Sequence, residues 1–187
     1  MLLLLDGCDG CGKDTQIKLL EEELDCKVFS YPTSRYQMLR DHLDNKLYVP
    51  PKSLFLLFLA DIAHDQKNVQ DALGKHEYVI LNRYVVSTIA YQVEGISYEE
   101  GKNIVENVGY LKPDRVLYLD IDPKTSQQRK NNQKTLDRYE SDIQYLEKVR
   151  SNYLKLYQDN FLSSGWHKID ASKSIEEINK EILSILR

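Results

Sequence analysis

The stretch Gly7-Cys8-Asp9-Gly10-Cys11-Gly12-Lys13 constrains this chain more than any other. It has the pattern G-x-x-x-x-G-K. An apolar run at 2–6 precedes it and reads as a strand; Ile17, Leu20 and Leu24 follow at helical spacing. In that setting the glycines let backbone N–H groups turn inward around a phosphate, and the helix N-terminus adds partial positive charge. Lys13 would reach the β- and γ-phosphates of a nucleoside triphosphate. A ligand-free glycine turn has no use for a lysine in its cradle. Gly7, Gly10, Cys11, Gly12, Lys13, Asp14 and Thr15 are therefore the expected phosphate-binding residues.

The remaining pattern supplies a frame for such a loop. Further strands are expected at 26–31, 78–82, 115–121 and 166–170, as nearly unbroken apolar runs of the kind found where both faces of a sheet are covered. A long apolar helix is expected over 51–73, begun by Pro50-Pro51 and ended near Gly74. Ile143, Leu146, Val149, Tyr153 and Leu156 mark another helix, and Ile175, Ile178, Ile182 and Ile185 the last. Strands alternating with helices over crossovers of this length mean an α/β fold with a parallel sheet, whose ligands sit beyond the carboxyl ends of the strands. At 187 residues the chain is expected to form one domain, 1–187.

Composition narrows the ligand. A net charge of −4 offers no basic footprint for a nucleic acid polymer, so the partner is a small nucleotide held by a few local cations. No apolar segment approaches membrane-spanning length, and a cytoplasmic protein is expected. Cys8, Cys11 and Cys26 are too few and too crowded for a disulfide framework. Zinc on Cys8 and Cys11 would want two further ligands, while His42, His64, His76 and His167 are scattered. The two cysteines read as small fillers of variable loop positions.

Five stretches together carry a family resemblance: LDGCDGCGKDTQ (5–16), NRYVVSTIAYQ (82–92), GYLKPDRVLYLDI (109–121), DRYE (137–140) and IDASKSIEEI (169–178). In order and spacing the chain resembles the thymidylate kinases, P-loop nucleoside monophosphate kinases that phosphorylate dTMP with ATP. The resemblance implies a P-loop NTPase fold, a three-layer α/β/α arrangement around a five-stranded parallel sheet with a short lid at about 130–137. It also implies Mg²⁺ with ATP and a homodimer. Carried over residue by residue, Asp9 would accept a hydrogen bond from the acceptor's 3′-hydroxyl. Arg83 would clamp phosphates where donor and acceptor meet, and Arg35 the monophosphate. Phe58 would stack on thymine, Tyr91 would lie under the sugar, and Ser87 and Gln92 near the base edge. Arg129 would lie over adenine, with Ser172 in the loop beside it.

Three positions depart from that pattern. Asp14 stands where such loops carry a hydroxyl for magnesium, and Asn82 stands where the family has Asp. We expect a swap, with Asp14 supplying the metal-side carboxylate and Asn82 a neutral partner; the competing reading is that Asp14 merely caps the helix. The lid has lysines, Lys130 and Lys134, and no arginine before Arg138, although arginine fingers contribute roughly 10³–10⁵ in rate. Either lysine, Lys134 foremost, takes over or turnover is slow. Ile62 occupies the place of the arginine that donates to thymine O4, which takes away the clearest basis for base preference. A deoxynucleoside kinase and a nucleotide-binding module without catalysis are the competing functions.

Overall fold

The computed structural model describes residues 1–92, 94–131 and 142–187. The expected lid at about 130–137, with Lys134, lies outside them except for helical backbone at 130 and 131, and so does Arg138. Strands β1 (Leu2–Gly7), β2 (Cys26–Ser30), β3 (Tyr78–Asn82), β4 (Arg115–Asp120) and β5 (Trp166–Asp170) form one sheet in the order β2-β3-β1-β4-β5. Every pairing is parallel. β1 is central and buried along its whole length, which is why it reads Leu2-Leu3-Leu4-Leu5 with no polar alternation. Each of those leucines contributes about 1.5–3 kcal/mol by leaving water. β2 is an edge strand and only half-buried.

The crossovers distribute the helices. The step from β1 to β2 runs across the sheet in the opposite direction to the other three. Right-handed connections then place α1 (Lys13–Glu23) on one face, and α3 (Pro51–His64), α5 (Val85–Tyr91) and α8 (Ile143–Gln158) on the other. The packing agrees: α1 lies against α9 (Ile175–Leu186), while α5 lies against α3, α8 and α6 (Tyr98–Val108). α2 (Gln37–Leu43), α4 (Gln66–Leu73) and α7 (Pro123–Asn131) complete the described helices. Tyr118 of β4 and Tyr153 of α8 stack at 5.1 Å between ring centres and close the core beneath the glycine loop.

The helix expected over 51–73 is two helices, broken at Asp65. The backbone N–H of Asp65 reaches back only to the Ile62 carbonyl, at 3.2 Å, so the last turn tightens. The Asp65 carboxylate is occupied by Arg35 and Asn68. Apolar periodicity carries no sign of that break. The register does the rest: Ser30 and Leu5 both pair with Asn82, and Gly7 pairs with Leu119. The segments leaving β1, β2 and β3 thus emerge side by side.

Candidate active site

The loop between β1 and α1 is shaped by its glycines. Gly7 has φ +150°, and a Cβ there would sit 2.5 Å from the Leu119 carbonyl oxygen. Gly12, at φ +97°, is the N-cap of α1 and leaves that helix end without a side-chain cap. The amides of the first turn consequently face the cleft. Lys13 is buried and bends back over the loop, its Nζ donating to the carbonyls of Gly7 (2.9 Å) and Cys8 (3.0 Å). Cys8 and Cys11 are buried free thiols. Burial, and then Cys11, push the Cys8 thiol up to about 12, so it stays protonated as loop packing.

Arg83 follows β3 with φ 64°, a left-handed conformation that a non-glycine residue adopts at a cost of about 1–3 kcal/mol. The strain turns its guanidinium into the cleft, where it pairs with Asp9. It also lies over the Tyr91 ring, 5.3 Å from the ring centre. Burial works against its charge, but Asp9 and the nearby phenols outweigh burial and keep it protonated. Tyr91 donates to Asp9 Oδ2 at 2.9 Å and accepts from the Asp9 amide at 3.0 Å. Ser126 of α7 donates to the Asp9 carbonyl. Sequence spacing gave no hint of Ser126, because its partner lies 117 residues away.

Asp14 and Asn82 are neighbours. Asn82 Nδ2 donates to Asp14 Oδ1 at 3.0 Å, and Asn82 Oδ1 is buried with no partner. The Asp14 carboxylate is exposed to the same cleft. Among the described residues no cluster of three or more His, Cys, Asp or Glu forms a protein-only metal cage. Magnesium, held by one or two protein oxygens plus phosphates and water, needs no such cage. The pair fits it.

Several acceptor-side expectations change. Ser87 does not stand at an open edge: it is buried and donates to both oxygens of Asp6, at 2.7 and 2.8 Å. Asp6 also accepts from the Gly7 amide (2.8 Å) and the Tyr153 hydroxyl (2.8 Å), and burial raises its carboxyl. Ser87 therefore props the glycine loop from beneath. Ile62 is 2% exposed and belongs to the hydrophobic core, one turn from Phe58 but not beside it in the open. Phe58 itself is half-buried whereas Phe55 is fully buried, so Phe58 is the aromatic left available. Gln92 turns onto the Glu94 carbonyl. Arg35 bonds Asp65 at 2.9 Å and approaches Asp61 at 3.7 Å.

At the other end Arg129 donates to the Ala171 carbonyl at 2.8 Å. Ser172 is turned onto Asp170 and exposed, at 2.6 Å from Oδ1. The wall of the cleft is formed instead by Lys173 and the first turn of α9, from Ser174 to Glu176. A capping box, Ser174 with Glu177, starts that helix. One cleft of about 730 Å³ joins Asp9, Lys13, Asp14, Asn82, Arg83 and Arg129. Cations gathered around a helix N-terminus make this cleft suited to phosphate-bearing groups.

Residues 5–182 match the family model described as thymidylate kinase. The chain is 36% identical to a probable thymidylate kinase of Methanocaldococcus jannaschii, over 100% of its own length and 96% of that protein's. Identity is also 36% to a thymidylate kinase of Thermosipho africanus, covering 100% and 97% of the two chains. The solved thymidylate kinase of Candida albicans superposes with a TM-score of 0.80 at 24% identity, covering 99% of this chain and 90% of that one, and shares its fold.

Proposed function

The chain belongs to the thymidylate kinase family, and from that premise we propose that it transfers the γ-phosphoryl group of ATP to the 5′-phosphate of dTMP, yielding dTDP and ADP. The observation that carries this reading is the meeting of Lys13 and Arg83 in one cleft. A polyanion needs the first, and a second phosphate facing it needs the other. Phosphoryl transfer rests on positioning and charge, and these residues supply both.

ATP's phosphates lie against the loop amides and Lys13, with Arg129 and the start of α9 toward adenine. Arg83 spans the junction; a planar fork that stays charged suits two phosphoryl oxygens. Asp9, held by Arg83 and Tyr91, orients the acceptor sugar through its 3′-hydroxyl. Tyr91 stays a neutral donor because burial, then Asp9, raise its phenol. Phe58 receives the base and Arg35 the acceptor's phosphate. Asp14 and Asn82 would hold the Mg²⁺ that accompanies ATP; when bound, the ion neutralises charge on the β- and γ-oxygens. Lys134, outside the described residues, is the proposed stand-in for the missing lid arginine.

The reaction runs in the cytoplasm, where Cys8, Cys11 and Cys26 remain free thiols. The working unit is a homodimer formed through α3, whose Leu56 is 52% exposed. An ADP-release assay with Mg-ATP tests the function. dTMP supports ADP formation, and thymidine, which lacks the phosphate Arg83 and Arg35 grip, does not. ATP binding without turnover of any deoxynucleoside monophosphate overturns the reading.

A further inference from the structure

The loop after β2 is pinned through Pro32 and Thr33. Thr33 gives its backbone N–H to Asp61 Oδ2 at 2.6 Å and its hydroxyl to Asp61 Oδ1. Arg40 of α2 holds the carbonyls of Pro32 and Thr33. The amide of Arg35 bonds the Thr33 hydroxyl at 3.1 Å. The backbone of this segment therefore has little freedom, and its side chains must do any moving. Arg35 can move: its side chain is 35% exposed and makes one short contact, to Asp65. That contact draws the guanidinium toward the α3–α4 junction, so Arg35 does not reach the cleft wall that Tyr31, Asn82 and Arg83 form.

Beside this pair stands an unsatisfied group. Tyr31 lines the cleft at 6% exposure, yet its hydroxyl is buried without a hydrogen-bond partner. A phenol left so costs about 1–3 kcal/mol, and such groups are few in folded proteins. After burial, the charges that act most on it are those of Asp65, Asp61 and Arg35. Asp61 already has two donors from Thr33. Asp65 has Asn68 at 3.1 Å and Arg35. If Arg35 left, Asp65 would lose its one cation among the described residues, and the phenol is a nearby unpartnered donor.

We infer that Asp65 competes with the acceptor's phosphate for Arg35, and that the Tyr31 hydroxyl takes Arg35's place on Asp65 when the phosphate wins. Asp65 and Tyr31 are thus positioning residues that set the affinity for the monophosphate while leaving the transfer step alone. This rests on the reading of Arg35 as a phosphate clamp. The exchange needs a guanidinium swing by Arg35 and a turn of the Tyr31 side chain, because the hydroxyl has no acceptor within reach where it stands.

The test varies dTMP at saturating Mg-ATP, with calorimetric titration of dTMP as a readout independent of turnover. Arg35→Ala raises KM about tenfold or more, as loss of a charge-assisted clamp requires. Asp65→Asn frees Arg35 and lowers KM and Kd several-fold with kcat unchanged; Asp65→Ser, which removes the carboxylate altogether, does the same. Tyr31→Phe raises KM, and that rise disappears in the Asp65→Asn background. If Arg35→Ala leaves KM and Kd unchanged, the clamp reading is wrong. If Arg35→Ala raises KM while neither Asp65 variant lowers it, Arg35 is a clamp but Asp65 does not compete for it. If Tyr31→Phe costs the same in both backgrounds, the phenol does not act through Asp65.

Discussion

At the scale of single residues, the contact between Asp14 and Asn82 is what supports the proposed exchange of functional groups between them. The two side chains touch at 3.0 Å, so a carboxylate moved from the end of β3 to the first turn of α1 serves the same volume. A double-mutant cycle measures this. Read by ADP formation from Mg-ATP and dTMP, Asp14→Ser and Asn82→Asp each harm activity, and the double variant restores most of it. Strictly additive losses would mean that Asp14 only caps the helix. The glycine loop and its lysine were legible because the backbone itself makes that site. Ser87 and Ile62 were misplaced because their roles depend on what lies across the fold. Ser87 sits over the buried carboxylate of Asp6, and Ile62 faces a core rather than a base.

Elements carry the stability that keeps this site in shape. β4 and α8 are joined by Asp120 and Arg150, which meet in a two-pronged pair at 2.7 and 3.0 Å. Burial raises the Asp120 carboxyl, but hydrogen bonds from Arg150 and Tyr118 outweigh it and hold the group below its ordinary value. A carboxylate depressed in the folded state stabilises above its unfolded pKa of about 3.9 and loses that contribution as pH falls through the lower folded value. Arg150→Leu should therefore cost about 1–3 kcal/mol at pH 7 and less below pH ~4, where the lost contribution is already fading in the parent. Urea midpoints at the two pH values report it, and an equal cost at both would remove the ion pair from the account. The sequence showed all five strands within one or two residues of their observed ends, because buried parallel strands are apolar throughout. It showed one helix where α3 and α4 are two, because the break is a backbone step at Asp65 that leaves the apolar spacing on either side intact.

For the whole molecule the topology is decisive. One crossover runs against the other three, so the loop after β1 and the residue after β3 share an edge of the sheet. The outer face of α3 leaves Leu56 uncovered, and Met38 of α2 is 48% exposed. Light scattering on a sizing column should give twice the chain mass, and Leu56→Glu should give the single mass with its circular dichroism unchanged. A parent already of single mass would end the dimer proposal. The most direct test of the two-phosphate cleft is calorimetric titration with an adenosine and a thymidine joined 5′ to 5′ by a polyphosphate bridge. Occupying both halves at once, the bridged molecule should bind about 10²-fold or more tighter than ATP alone, and Lys13→Ala and Arg83→Ala should each weaken it. Binding no tighter than ATP, or indifferent to Arg83→Ala, would contradict a cleft that brings donor and acceptor together.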